Sequence, residues 1–328
     1  MNTPTGKHVH VIYTPDTWEF RGEKYPITYI SYRDEEHGEE FTTTESDTVW
    51  YNQATNQYRA RYGIPYTDEI IALRERYGLS AAKMSAILGF GVNQYRLYEM
   101  GEVPSESNGK MIRSAMNPRV FLDLVQSTRH HLSEREFEKI SARAEMEIGK
   151  GGAWRDEQSA VSRLFRTRRG PENGFAPQST ARLKNLLLYV IGQMGDVFQT
   201  KMNKVLFYID FLSYRERGMA ISGLAYSAID FGPVPQRWDR VYSAFDEIEP
   251  QPRSVFGQES VALVSDTKAD MSAFSEEELA IIDAVCEKMK PLSAHDISEL
   301  SHNEPAWKNH LHQVETIPFD EAFGLVGM

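Results

Sequence analysis

Three groups of residues in this 328-residue chain have types and spacings that chemistry could use. His302 and Glu304 stand two apart, the spacing of a general acid–base pair or of the H-x-E found in zinc deaminases. Asp34-Glu35-Glu36-His37, with His8 or His10 upstream, offers carboxylate and imidazole ligands that could suit a divalent ion. Asn93, Gln94, Arg96 and Leu97 lie in one short run, where the amides match the edge of adenine and the guanidinium matches guanine or a phosphate.

The first two groups lack the partners their chemistry needs. No P-C-x-x-C follows His302, and the chain contains no HExxH, no G-x-S-x-G and no glycine-rich phosphate loop leading into a helix. His302 then reads as the satisfied partner of a helix end with Trp307 packed beneath it, and no catalytic residues are expected. The single cysteine, Cys286, excludes a disulfide scaffold and any two-cysteine zinc cage. Carboxylate–histidine sets without thiolates are rare as structural zinc cages, so the expectation is no metal and no cofactor.

The third group is supported by what surrounds it. Gly78 stops a helix that begins at Thr67, and Ser80 is placed to cap the next. Met84 and Leu88 face a core, small Ser85 lets a second helix cross closely, and Gly89 permits a tight turn. Tyr95 and Tyr98, one turn apart, are then the inward pair of the second helix. Asn93, Gln94, Arg96 and Leu97 project outward, as in a helix-turn-helix that enters a major groove. Lys83, Lys110 and Arg113 are the cations expected to meet phosphates.

Residues 9–60 alternate apolar and polar in short pieces, a small antiparallel β unit held by Trp18, Phe20, Tyr25, Tyr29 and Phe41. The segment 170–179, GPENGFAPQS, reads as a linker. Beyond it, the apolar spacing from Leu183 to Met194, a helix from about Thr200 to Arg217 and a Ser275/Glu278 capping box describe a compact helical domain. The fold class expected is α+β, mostly α, divided as 1–65 (β unit), 66–128 (helix-turn-helix), 129–178 (helical connector and linker) and 179–328 (helical domain).

The 36 basic and 47 acidic residues give −11, distributed as −4, 0 and +3 over 1–65, 66–128 and 129–170, then −1 over 171–178 and −9 over 179–328. A polyanion should therefore prefer the middle of the chain and be repelled by its C-terminal half. No apolar run reaches the ~18 residues of a membrane span and the start carries no apolar secretion segment, so a cytoplasmic location is expected.

The run L-G-F-G-V-N-Q-Y-R-x-Y-E-x-G (Leu88 to Gly101) with V-P-S-x-S-N-G (Val103 to Gly109) resembles the helix-turn-helix of the MqsA/YgiT family of antitoxin-type regulators. That resemblance implies DNA reading by an asparagine and an arginine; Asn93 matches the first, whereas Leu97 stands at the second, with Gln94 and Arg96 as substitutes. Where the family carries a Cys-x-x-Cys-Gly knuckle, this chain has Asp34-Glu35-Glu36-His37-Gly38, which implies a ribbon without metal. In the C-terminal half, Lys204 to Asp210, Arg215 to Gly218, Phe231-Gly232-Pro233-Val234-Pro235 and Leu300 to Trp307 resemble the SocA/GepA-like Panacea domain. It implies an antitoxin domain that neutralises a toxin encoded beside it by direct binding.

Gly-Pro-Val-Pro reads as a stiff turn presenting Phe231 and Trp238, with Lys204 and Tyr208 on a neighbouring helix as further toxin-contact candidates. The partners expected are a cognate toxin with a basic surface, operator DNA and a second copy of the chain, with no membrane. Together these readings describe a type II antitoxin that represses its own operon; the alternatives are a ligand- or signal-responsive repressor and a protease adaptor.

Overall fold

Residues 9–195, 197–255, 258–313 and 316–328 are described in the computed structural model. Strands β1 (Val9–Phe20) and β2 (Glu23–Asp34) form a long antiparallel hairpin turned at Arg21 and Gly22, and β3 (Glu40–Phe41) extends it. Helices α1 (Thr44–Tyr62), α2 (Thr67–Tyr77), α3 (Ala81–Leu88), α4 (Gln94–Glu99), α5 (Glu106–Ala115), α6 (Pro118–Ser127), α7 (Glu134–Gly149) and α8 (Gly151–Leu164) follow. Next come α9 (Thr180–Met194), β4 (Val197–Phe198), α10 (Gln199–Arg217), β5 (Tyr226–Ile229), β6 (Gly232–Pro235) and α11 (Trp238–Tyr242). The last elements are β7 (Glu249–Val255), β8 (Gln258–Val264), α12 (Glu276–Met289), α13 (Ala294–His302) and α14 (Pro305–Lys308). The architecture is mostly α with small antiparallel sheets. No helix among the described residues is long and apolar enough to cross a membrane.

Two compact units result: residues 55–158, and the described residues up to 54 together with those from 159 onward. These bounds differ from the divisions drawn at 65/66, 128/129 and 178/179, for two physical reasons. Residues 44–62 are helical rather than part of a β unit. Thr43 and Ser46 exchange backbone-to-hydroxyl bonds at the helix start (2.9 and 3.2 Å), and Gln53, Thr55, Asn56 and Arg59 are buried polar residues that hide the apolar period. Gln53 closes an amide pair with the Thr28 backbone of β2, accepting at 2.8 Å and donating at 3.1 Å.

The second correction concerns the linker. Asn173, Phe175 and Ala176 are fully buried, and the Asn173 side chain accepts from Gly170 N (3.0 Å) while donating to Arg168 O (2.9 Å). Gly174 is left-handed (φ 56), and a Cβ there would sit 2.7 Å from Ala220. Turn-forming residues are thus spent on satisfying a buried loop, not on solvating a spacer. The N-terminal hairpin belongs to the same unit: Tyr13 meets Phe323 (5.5 Å between centroids), and Asn52 caps the end of α10 by donating to Arg217 O (3.0 Å). Central α10 is buried on all sides from Met202 to Tyr214.

The 55–158 unit follows its local signals closely. Gly78 (φ 62) ends α2, the Ser80 hydroxyl accepts from Lys83 N (3.2 Å) at the start of α3, and Gly89 (φ 73) ends it. Ile70, Leu73, Tyr77, Met84, Leu88, Tyr95, Tyr98 and Phe121 build the core, with Tyr77 stacked on Phe121 at 3.7 Å.

Candidate functional site

Two surfaces, one in each unit, collect the residues singled out above. In the 55–158 unit, α3 and α4 form the expected helix pair. Ser85 is fully buried and its hydroxyl accepts from Tyr95 N (3.0 Å), while Tyr95 donates to Ile70 O (2.7 Å). Burial pushes the Tyr95 phenol up, so the bond is held by a neutral hydroxyl. Tyr98 is buried and accepts from Asn108 (2.7 Å). Asn93 holds the cap position of α4 without using its side chain to cap, and it is exposed, as are Arg96 and Leu97. Gln94 is half-buried and donates to Glu102 (3.1 Å).

The cations assigned to phosphates each have a carboxylate neighbour: Lys83 with Glu136 (3.0 Å), Lys110 with Glu106 (3.7 Å) and Arg113 with Glu69 (3.5 Å). The Ser133 backbone amide, with Lys83, holds Glu136 down at about 2.

In the other unit the expected stiff turn is a strand. Gly-Pro-Val-Pro is β6, buried throughout and paired with β5 so that Ile229 faces Gly232, and the reversal falls at Asp230–Phe231. Two side chains pin this tip by its carbonyls: Lys204 donates to Phe231 O, and Trp307 Nε1 donates to Ile229 O (2.7 Å). Gly232 is left-handed (φ 97), and a Cβ there would lie 2.8 Å from Ser301 Oγ and 2.9 Å from Lys204 Cε. The pinned backbone leaves the Phe231 side chain 74% exposed and Ile229 38% exposed. Trp238 opens α11 and is half-buried.

Lys204 and Tyr208, candidates for toxin contact, are buried at 1% and 0% exposure and reach no surface. Lys204 carries the tip, and burial lowers its pKa to about 8. Tyr208 donates to Glu304 (2.9 Å), whose two oxygens also accept from Gly327 N (2.7 Å) and Val326 N (2.9 Å). Asp210 accepts from Ile221 N (2.9 Å), Ser222 N (2.7 Å), the Ser222 hydroxyl and Tyr226 (2.6 Å). Burial raises its pKa against these four donors.

Glu304 therefore spends its oxygens on scaffold and is not free to act as a base beside His302. His302 does stack on Trp307 (4.3 Å, 19°), but its Nε2 is buried with no hydrogen-bond partner among the described residues, unlike the satisfied helix-end histidine expected. Asp34 approaches His37 (3.5 Å), and Glu36 completes a possible three-ligand group, whereas His10 turns to Glu35 (3.1 Å) and His8 lies outside the described residues.

Trp307 as tether and Ile229 as part of the tip were missed. Their pairing spans 78 residues and no local spacing announces it.

Residues 202–308, which carry this tip and its tethers, match the protein family described as antitoxin SocA-like, Panacea domain. The match over residues 202–308 supports a SocA-like Panacea domain in that segment and, with it, an antitoxin role in general. No curated protein and no solved structure matches the chain.

Proposed function

We propose that this protein is an antitoxin that neutralises its toxin by direct binding at the Ile229–Phe231 tip and represses its own operon through α3 and α4. The observation that carries the reading is the pinned tip. Inside the matched segment, two buried or half-buried side chains are committed to holding the carbonyls of residues 229 and 231, so their apolar side chains are offered in one fixed geometry. A preorganised aromatic anchor loses little conformational entropy on binding. The −9 charge of residues 179–328 suits a toxin with a basic surface and rapid association at low salt.

Operator binding rests on the inward Tyr95 and Tyr98, the uncommitted Asn93 side chain and the resemblance of Leu88 to Gly101 to the MqsA/YgiT reader. A dimer reading two half-sites would offset the modest cation supply.

Co-expression of the full chain with the adjacent gene tests the first part. Wild type should restore growth, and Phe231→Asp, at an exposed position, should not; rescue by both places the toxin face elsewhere. A gel shift on the upstream DNA tests the second part.

A further inference from the structure

Asn93, Arg96, Leu97 and Met100 follow the i, i+3, i+4, i+7 spacing and share the outer face of α4 and its cap. Half of that face is apolar, with Leu97 41% and Met100 73% exposed, and Val92, in the turn just before the Asn93 cap, is 75% exposed. These side chains are not left over from a core, because the inward positions are already filled by Tyr95 and Tyr98. We propose that Val92 and Leu97 read thymine through its C5-methyl group, next to the base read by Asn93, so that each operator half-site contains thymines at these contacts.

The assignment rests on the operator-binding reading given above. Its chemistry is specific: the thymine methyl is the one apolar feature in the major-groove code, and an exposed branched side chain beside an amide and a guanidinium is the complement of a thymine flanked by adenine and guanine. One further observation favours DNA over a protein on this face. Asn93 and Arg96 interrupt the apolar residues, and so few side chains fall far short of the ~800 Å² per partner of a stable protein interface. Lys83, Lys110 and Arg113 each stand beside a carboxylate, which weakens phosphate attraction, so whatever affinity this face has for DNA must come more from base contacts. Gln94, offered above as an adenine reader, is half-buried and engaged with Glu102, so it contributes less than Leu97 does.

The experiment uses the full chain and a duplex it selects from a random-sequence pool, made once with thymine and once with uracil, which lacks only the methyl. At roughly 0.8 kcal/mol per buried methyl, each lost contact weakens binding about fourfold. Wild type should bind the uracil duplex on the order of tenfold more weakly. Val92→Ala/Leu97→Ala, with an unchanged melting profile, should bind the two duplexes equally. Equal binding of both duplexes by wild type overturns the thymine assignment while leaving operator binding in place. Failure to select any duplex over scrambled DNA removes the operator reading itself. Loss of self-association in the double variant, with the uracil penalty intact, makes the face a protein interface and also overturns the proposal.

Discussion

Replacing Lys204 by methionine separates the two jobs a buried lysine could have, holding the fold and holding the tip. Its pKa of about 8, against the ordinary 10.5, means that burying the ammonium costs the fold about 3 kcal/mol at pH 7, at 1.36 kcal/mol per pH unit. Against that stands the donor the lysine supplies to Phe231 O, a carbonyl that costs about 1–3 kcal/mol when left unpaired. Lys204→Met removes both, so the two changes nearly cancel and the unfolding free energy at pH 7 should stay within about 1 kcal/mol of wild type. The tip nevertheless loses one of its two tethers, and growth rescue should fall.

The same residue has a pH signature. Between pH 8 and 10.5 the folded form gives up the Lys204 proton before the unfolded chain does. The unfolded state therefore binds more protons, and this lysine's contribution to stability rises with pH. Urea melts of wild type and Lys204→Met across that window should diverge by about 3 kcal/mol in favour of wild type. Buried tyrosines with raised pKa act in the opposite direction in both proteins and cancel in the difference. Full rescue by a stably folded Lys204→Met would show that the lysine does not position the tip, and a loss above about 3 kcal/mol at pH 7 would make it a structural clamp.

Other outcomes follow from the same packing. Asn173→Ala should destabilise the protein by about 2 kcal/mol in denaturant melts, because a buried loop loses its internal hydrogen bonds; a change below 0.5 kcal/mol would restore the linker reading. Gly232→Ala meets Ser301 and Lys204 at under 3 Å in a left-handed conformation, so it should lower both stability and rescue by more than Lys204→Met does. Asn93→Ala should weaken operator binding in a gel shift by the ~1–3 kcal/mol of one base contact without moving the melt. Burial pushes the Cys286 thiol up to about 12, so iodoacetamide at pH 8 should label it only after unfolding, and rapid labelling of the native protein would contradict its burial.

The parts that sequence determined alone are those whose causes lie within a few residues. Ser80 caps α3, Gly78 and Gly89 end helices in left-handed turns, Ser275 and Glu278 close a capping box, and Met84, Leu88, Tyr95 and Tyr98 turn inward because their spacing gives one apolar stripe. Tertiary structure decided what polar residues and prolines do, since that depends on partners far along the chain. Tyr208 finds Glu304 96 residues away, and Trp307 finds Ile229 78 residues away. Asn173, read as part of a polar linker, satisfies a buried backbone; Lys204, read as a contact, is buried and holds one instead. Gly-Pro-Val-Pro is a strand because β5 supplies its partner, and 44–62 is a helix because Gln53 meets Thr28 across the unit. Hydrogen-bonding groups leave no periodic mark in a sequence, and only the fold brings together the donors and acceptors that settle whether they face water or the core.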